Sequence, residues 1–158
     1  MTAGEVCTRR VISADPDETI PEVARRMRDL HVGDVVIADS QNRPVGLLTD
    51  RDIVIKAIAG GANTLGTLTV GKVMSHDVIT VRATEPIHVA LQKMQKHGIR
   101  RLPVVGTDGR LEGILTLDDI LEVTSTELAQ LVGLVAMEQK HERDVYPSRP
   151  PAPAASAG

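Results

Sequence analysis

The sequence predicts an α/β fold of the α+β kind: two β-α-β-β-α repeats packed with pseudo-two-fold symmetry, followed by a C-terminal helix. Three observations carry this. Moved along itself by 67 positions, the chain matches without a gap, Thr2–Ile53 on Thr69–Ile120, and 14 of those 52 positions are identical; such self-similarity marks structural units that bury their surfaces against each other. Within each copy the apolar spacing switches between the strand period and the helix period. Beyond the second copy, Leu128, Leu131, Val132 and Val135 fall on one helical face.

Each copy reads in the same order. A short turn at Gly4 or Gly71 leads to an extended pair, Val11-Ile12 or Val78-Ile79. A helix follows, apolar at Ile20, Val23, Ala24 and Met27 in the first copy and at Ile87, Ala90, Leu91 and Met94 in the second. Asp17 or Thr19 with Pro21, and Thr84 with Pro86, are cap-and-proline starts, and Gly98 stands where a C-cap belongs. Two strands come next, Asp34–Ala38 with Val45–Leu48 and Leu102–Val105 with Gly113–Leu115, joined by polar turns. A further helix opens at Asp50 or Leu117. The expected division is residues 1–62 and 63–125 for the repeats, with Gly60–Asn63 as linker, 126–144 for an amphipathic helix and 145–158 for a disordered Pro/Ala-rich tail. Neither copy alone carries enough apolar surface to fold, so the two are expected to pack through their sheets.

Composition narrows the function classes. Apolar residues make up 42% and charged residues 25%, as in an ordinary soluble protein. Tyr146 is the sole aromatic, which excludes base stacking as a way to hold single strands. Eighteen basic against 21 acidic residues give a net charge of −3, spread without bias, so nucleic acid is not an expected partner. Cys7 is the lone cysteine, which fits a reducing compartment. With no signal-peptide pattern and no long uninterrupted apolar run, a cytoplasmic address and no membrane partner are expected.

The sharpest local feature is Gly-hydrophobic-Leu-Thr-x-x-Asp-Ile, present as Gly46–Ile53 and again as Gly113–Ile120. One reading is a capping box, in which the threonine caps a helix and the aspartate three residues on reaches back to its amide. The other is an anion site, because a helix start presents N–H donors to which a threonine hydroxyl adds one, while an aspartate accepts ribose hydroxyls.

The doubled unit, the paired Gly-h-h-Thr-x-x-Asp corners and His97-Gly98-Ile99-Arg100-Arg101-Leu102-Pro103-Val104-Val105 resemble a tandem pair of cystathionine-β-synthase (CBS) domains, a Bateman module, over roughly residues 2–125. The resemblance implies regulatory, non-enzymatic binding of AMP, ADP or ATP, or S-adenosylmethionine, in clefts between the repeats, usually in a homodimer. Carried over by position, Asp52 and Asp119 match ribose-binding aspartates, Thr49 and Thr116 the hydroxyls beside the phosphate, and Arg100 and Arg101 a basic pair that reaches phosphates. The adenine is expected against Ile12–Ala14 and Ile79–Val81, with Pro103 nearby. The copies differ: Gly33-Asp34 stands where the second copy has Arg100-Arg101, and Arg51 where it has Asp118, so two equivalent sites are not expected. No catalytic or transport domain is attached, so the output is expected to act on a protein partner; a plain interaction scaffold with empty clefts is the competing reading.

Other signals point to structure. Gly66–Lys72 nearly spells a P-loop, but Val73 replaces the required hydroxyl and the segment overlays the turn at Thr2–Glu5. The five histidines lack ligand spacing, so no metal is expected. Cys7 overlays Met74, as a small packing residue would. Arg9-Arg10 and Arg25-Arg26 are expected on solvated faces.

Overall fold

The structure, a computed structural model, describes residues 1–61 and 63–145. These fall into two compact units, Met1–Ile120 and the part from Leu121 onward. In chain order the elements are α1 (Ala3–Val6), β1 (Ser13–Ala14), α2 (Ile20–Leu30), β2 (Asp34–Ala38), β3 (Pro44–Thr49), α3 (Asp50–Asp52, continued as a π-helical turn over Ile53–Ile58), β4 (Val81–Arg82), α4 (Ile87–His97), β5 (Arg101–Val105), β6 (Leu111–Thr116) and α5 (Leu117–Val145). Two three-stranded sheets form, β1-β2-β3 and β4-β5-β6, each with one parallel and one antiparallel pairing.

The short first strands start later than the extended pairs Val11-Ile12 and Val78-Ile79 suggested. In the first sheet Ser13 pairs with Val36 and the Val36 amide donates to the Ile12 carbonyl. Proline occupies the matching place in the second sheet, Pro103, and has no N–H to give. That rung is lost and β4 begins one register position later, at Val81 opposite Val104. The same exchange corrects the start of α4. Thr19 caps α2 through a box with Glu22, whereas the matching position is Pro86, so Thr84 stays in a turn and α4 begins at Ile87 without a side-chain cap. At the far ends, His31 and Gly98 occupy the same left-handed cap, with φ of 53° and 63°.

The cores are crossed. One contains Ile20, Val23, Met27, Val35, Ile37 and Leu48 of the first copy together with Val70, Val73 and Met74; the other contains Val81, Ala90, Met94, Leu102, Val104 and Leu115 of the second together with Ala3 and Cys7. The N-terminal arm therefore docks on the second sheet, Gly4 donating to the Ala83 carbonyl and Thr8 pairing with Ile114, while the linker arm docks on the first, Gly71 donating to Pro16 and Ser75 pairing with Leu47. Two glycines permit the approach. A Cβ on Gly113 would lie 2.5 Å from the Cys7 sulfur and 3.0 Å from the Thr8 carbonyl oxygen, and one on Gly46 would lie 2.5 Å from the Met74 sulfur and 3.0 Å from the Ser75 oxygen. The P-loop-like stretch is this linker arm, two short 3-10 turns, Leu65–Thr67 and Val70–Lys72, the second opening on buried Val70. Burial pushes the Cys7 thiol pKa up, which suits its packing role.

Two of the arginines expected on solvated faces are braces. Arg26 donates to the Ser13 carbonyl and to Glu18, matched in the second copy by Lys93 to the Thr80 carbonyl and Glu85. Arg9 pairs with Glu112 at 3.0 Å, tying the N-terminal arm to β6.

The helix expected over 126–144 is found as part of a longer one. α5 runs unbroken from the corner of the second repeat to Val145, because no glycine pair interrupts it as Gly60-Gly61 ends the helical stretch after β3. It leaves Leu128, Leu131, Val132, Leu134, Val135 and Met137 exposed. By length and composition Leu117–His141 is apolar enough to cross a membrane. Its charge-free band between Glu127 and Glu138, however, rises only about 15 Å, half of a bilayer's hydrocarbon thickness of about 30 Å. Residues 146–158, the rest of the expected tail, lie outside the described residues, as does Ala62 of the expected linker.

Candidate functional site

The corners after β3 and β6 fold as capping boxes in full. In the first, the Thr49 hydroxyl accepts from the Asp52 amide and donates to Asp52 Oδ2, which also accepts from the Thr49 amide at 3.0 Å. The Asp50 amide donates to the Gly33 carbonyl and the Arg51 amide to Asp50 Oδ1. Every N–H at this corner therefore has a protein partner, and the anion site expected from free backbone donors is not what the geometry offers. The second corner repeats the box through Thr116 and Asp119, with the Leu117 amide on the Arg100 carbonyl, but Leu117 lacks the carboxylate with which Asp50 receives the next amide of the first corner.

The aspartates differ beyond the box. Asp52 Oδ1 is taken by Lys56, one helical turn on, at 2.8 Å. Burial pushes the Asp52 pKa up, but the bonds from Lys56 and Thr49 outweigh it and hold the carboxyl below its ordinary value. Sequence reasoning missed Lys56, although its i+4 spacing from Asp52 was a signal. Position 123, its counterpart, is Val123, so no cation one turn on covers Asp119.

A cleft of about 550 Å³ opens between the repeats. Gly33 and Asp34 at the start of β2, Leu47 and Thr49 to Arg51 around the first corner, and Gly98 to Arg101 leading into β5 line it. Four expected residues meet there: Thr49, Arg51, Arg100 and Arg101. The guanidiniums of Arg51 and Arg100 have no ion pair or side-chain hydrogen bond among the described residues, whereas Arg101 pairs with Asp34 across the two repeats at 3.2 Å. Asp34 is 14% exposed on its side chain. Burial raises its pKa, Arg101 opposes this and Asp50 adds to it. The remaining expected residues lie outside the lining. Asp52, Thr116 and Asp119 are engaged in their boxes, Asp118 is exposed, Ala14 and Val81 sit inside the two cores with Ile12 and Ile79 packed beside them, and Pro103 is fully buried in β5.

A second cavity of about 450 Å³ lies at the end of β4, around Arg82, Glu85 and Lys93. Its lysine is already bracketed by Glu85 and the Thr80 carbonyl. Among the described residues no three histidine, cysteine, aspartate or glutamate side chains converge as metal ligands do.

Comparison with known proteins now adds what the geometry alone does not. An uncharacterized protein of Methanopyrus kandleri is 42% identical over 123 residues, 78% of this chain, which spans 62% of that protein's length. Hypoxic response protein 1 of Mycobacterium tuberculosis is 36% identical over 119 residues, covering 75% of this chain and 82% of the relative; the solved structure of that name, with two coordinated zinc ions, superposes with a TM-score of 0.70 at 35% identity over 77% of this chain and 98% of its own. A CBS domain protein from Pyrobaculum aerophilum complexed with AMP superposes with a TM-score of 0.67 at 30% identity over 79% and 99%. The family described as CBS domain matches residues 3–58 and 70–125, and the chain belongs to it, as a tandem pair of CBS domains.

Proposed function

We propose that this CBS pair is a non-catalytic sensor that binds an adenine nucleotide, AMP, ADP or ATP, in the cleft between its repeats. It passes occupancy to a protein target as a change in the relative orientation of repeats or of subunits in a homodimer. The observation that supports this best is the set of three guanidiniums around one cleft, two of them unpaired, at the threonine corner. Guanidinium forks match phosphate oxygens through charge-assisted hydrogen bonds, and the Pyrobaculum aerophilum relative was solved with AMP. The lining includes no histidine, cysteine or serine.

Because every amide of the first corner is already bonded within the protein, phosphate affinity on this reading comes from side chains. Replacing Arg51 and Arg100 by alanine is expected to weaken AMP about ten- to a hundredfold, the loss of one or two bonds to a charged group, and to leave adenosine within about twofold. Calorimetry on the two ligands separates the cases, and equal loss for both, or none, would remove the arginines from the site. The aspartates are better probed by asparagine than by alanine, which would strip the cap as well. Asp119, which lies outside the lining of this cleft, is expected on this reading to leave both ligands unchanged when replaced by asparagine. S-adenosylmethionine and 5'-methylthioadenosine belong in the same titration, since a related CBS pair at 28% identity was solved with both; 5'-methylthioadenosine, with neither phosphate nor carboxylate, is expected to be insensitive to the arginine pair, whereas the carboxylate of S-adenosylmethionine still offers a guanidinium partner.

A further inference from the structure

Positions 34 and 101 are the same place in the two repeats, one leading β2 and the other β5, and the pseudo-two-fold brings them face to face. The sequence puts opposite charges there. We infer that Asp34 sets the ligand's phosphate preference: it holds Arg101 in an ion pair across the cleft, and a phosphorylated ligand must take Arg101 from it. This rests on the reading of the cleft as a nucleotide site.

The neighbourhood makes the exchange consequential. Asp34 is mostly buried, and the Asp50 carboxylate lies close by, 3.2 Å from where a Gly33 Cβ would stand. Arg51 and Arg100 are the other charged groups in the lining, and neither is paired with Asp34. A carboxylate in such a place needs its cation. When a phosphate draws Arg101 away, Asp34 is left beside Asp50 and is relieved by taking up a proton or by turning toward water or toward Arg51 and Arg100. Each of these undoes the side-chain link between the leading ends of β2 and β5. Occupancy by a phosphorylated ligand thus acts on the one ion pair that ties the two strand starts together, whereas an unphosphorylated nucleoside leaves it intact.

The test is calorimetry of AMP and adenosine on wild type, Asp34→Asn and Arg101→Gln, with a thermal melt of each variant to check folding. Asp34→Asn releases Arg101 while keeping shape, and is expected to tighten AMP about tenfold, the scale of one charge-assisted contact, with adenosine unchanged. Arg101→Gln is expected to bring AMP down toward adenosine. If wild type binds AMP and Asp34→Asn leaves the AMP-to-adenosine ratio unchanged or lowers it, the inference fails while the nucleotide reading stands. AMP binding that appears only in Asp34→Asn supports the inference. If no variant binds either ligand, the nucleotide reading fails and this one with it.

Discussion

Replacing Gly113 by alanine tests the crossed packing most directly. The new methyl group would meet three atoms of the docked N-terminal arm, the Cys7 sulfur at 2.5 Å, the Thr8 carbonyl oxygen at 3.0 Å and the Cys7 Cβ at 3.3 Å. The sulfur can rotate, at the expense of its contact with the Gly4 carbonyl at 3.7 Å. The carbonyl cannot, because it accepts from the Ile114 amide in the bridge that holds the arm. Overpacking of this kind costs about 1–3 kcal/mol, and loss of glycine's freedom in the unfolded chain returns about 0.4–1 kcal/mol. The expected net destabilisation is about 1–2 kcal/mol by the same two principles. Gly46→Ala should cost less, because the Met74 Sδ and Cγ that it meets lie on a long flexible side chain, whereas the Cys7 Cβ is fixed to the backbone. Urea unfolding followed by far-UV circular dichroism measures both, with Gly66→Ala, whose Cβ would meet nothing within 4 Å, as the clash-free control, expected to gain about 0.4–1 kcal/mol. Equal stability of Gly113→Ala and wild type, or a larger loss in Gly46→Ala, would refute the argument.

Two further outcomes are expected. Asp52 and Glu85 both sit below their ordinary pKa, Asp52 because Lys56 and Thr49 outweigh its burial, and Glu85 chiefly through the Arg82 amide. A lowered pKa contributes stability that is present above the ordinary carboxylate range and lost as pH falls through the lowered value. Acid unfolding should therefore be less steep below about pH 4 in Asp52→Asn and Glu85→Gln than in wild type; unchanged titration slopes would contradict these pairings. Val54, Ile55 and Ile58 in the first unit, and Leu128, Leu131 and Val135 in the second, are all more than half exposed, and covering them by a second copy predicts a dimer of the 16.9 kDa chain. Light scattering should return twice the chain mass, with Leu131→Glu and Val135→Glu shifting it to one; a wild-type monomer at micromolar concentration would rule the dimer out.

The repeat, its strand pairs and the capping corners were legible in the sequence because they are local and occur twice. Where the copies diverge by a single residue, the structure follows the divergence: Pro103 for Val36 delays a strand, and Pro86 for Thr19 removes a cap. The crossed arms were not legible. That Gly113 faces Cys7 depends on a contact more than a hundred positions long, and alignment of the copies gives equivalence without proximity. For the same reason Asp34 and Arg101 could be seen as an asymmetry of the motif but not as partners. The cleft lining was half legible, since Arg51, Arg100 and Arg101 stand out by charge, whereas the spending of the corner amides on the cap shows only in three dimensions.

The exchange of arms bears on how such a chain could arise. If the bond between the two copies were cut near Gly61, each half would present its own leading arm to the other half's sheet, by identical hydrogen bonds at Gly4 and Gly71. That is the geometry of two single-repeat chains swapping their N-termini to make a symmetric pair. Gene duplication with fusion would then have joined partners that already interlocked, and freed positions such as 34 and 101 from having to carry the same residue.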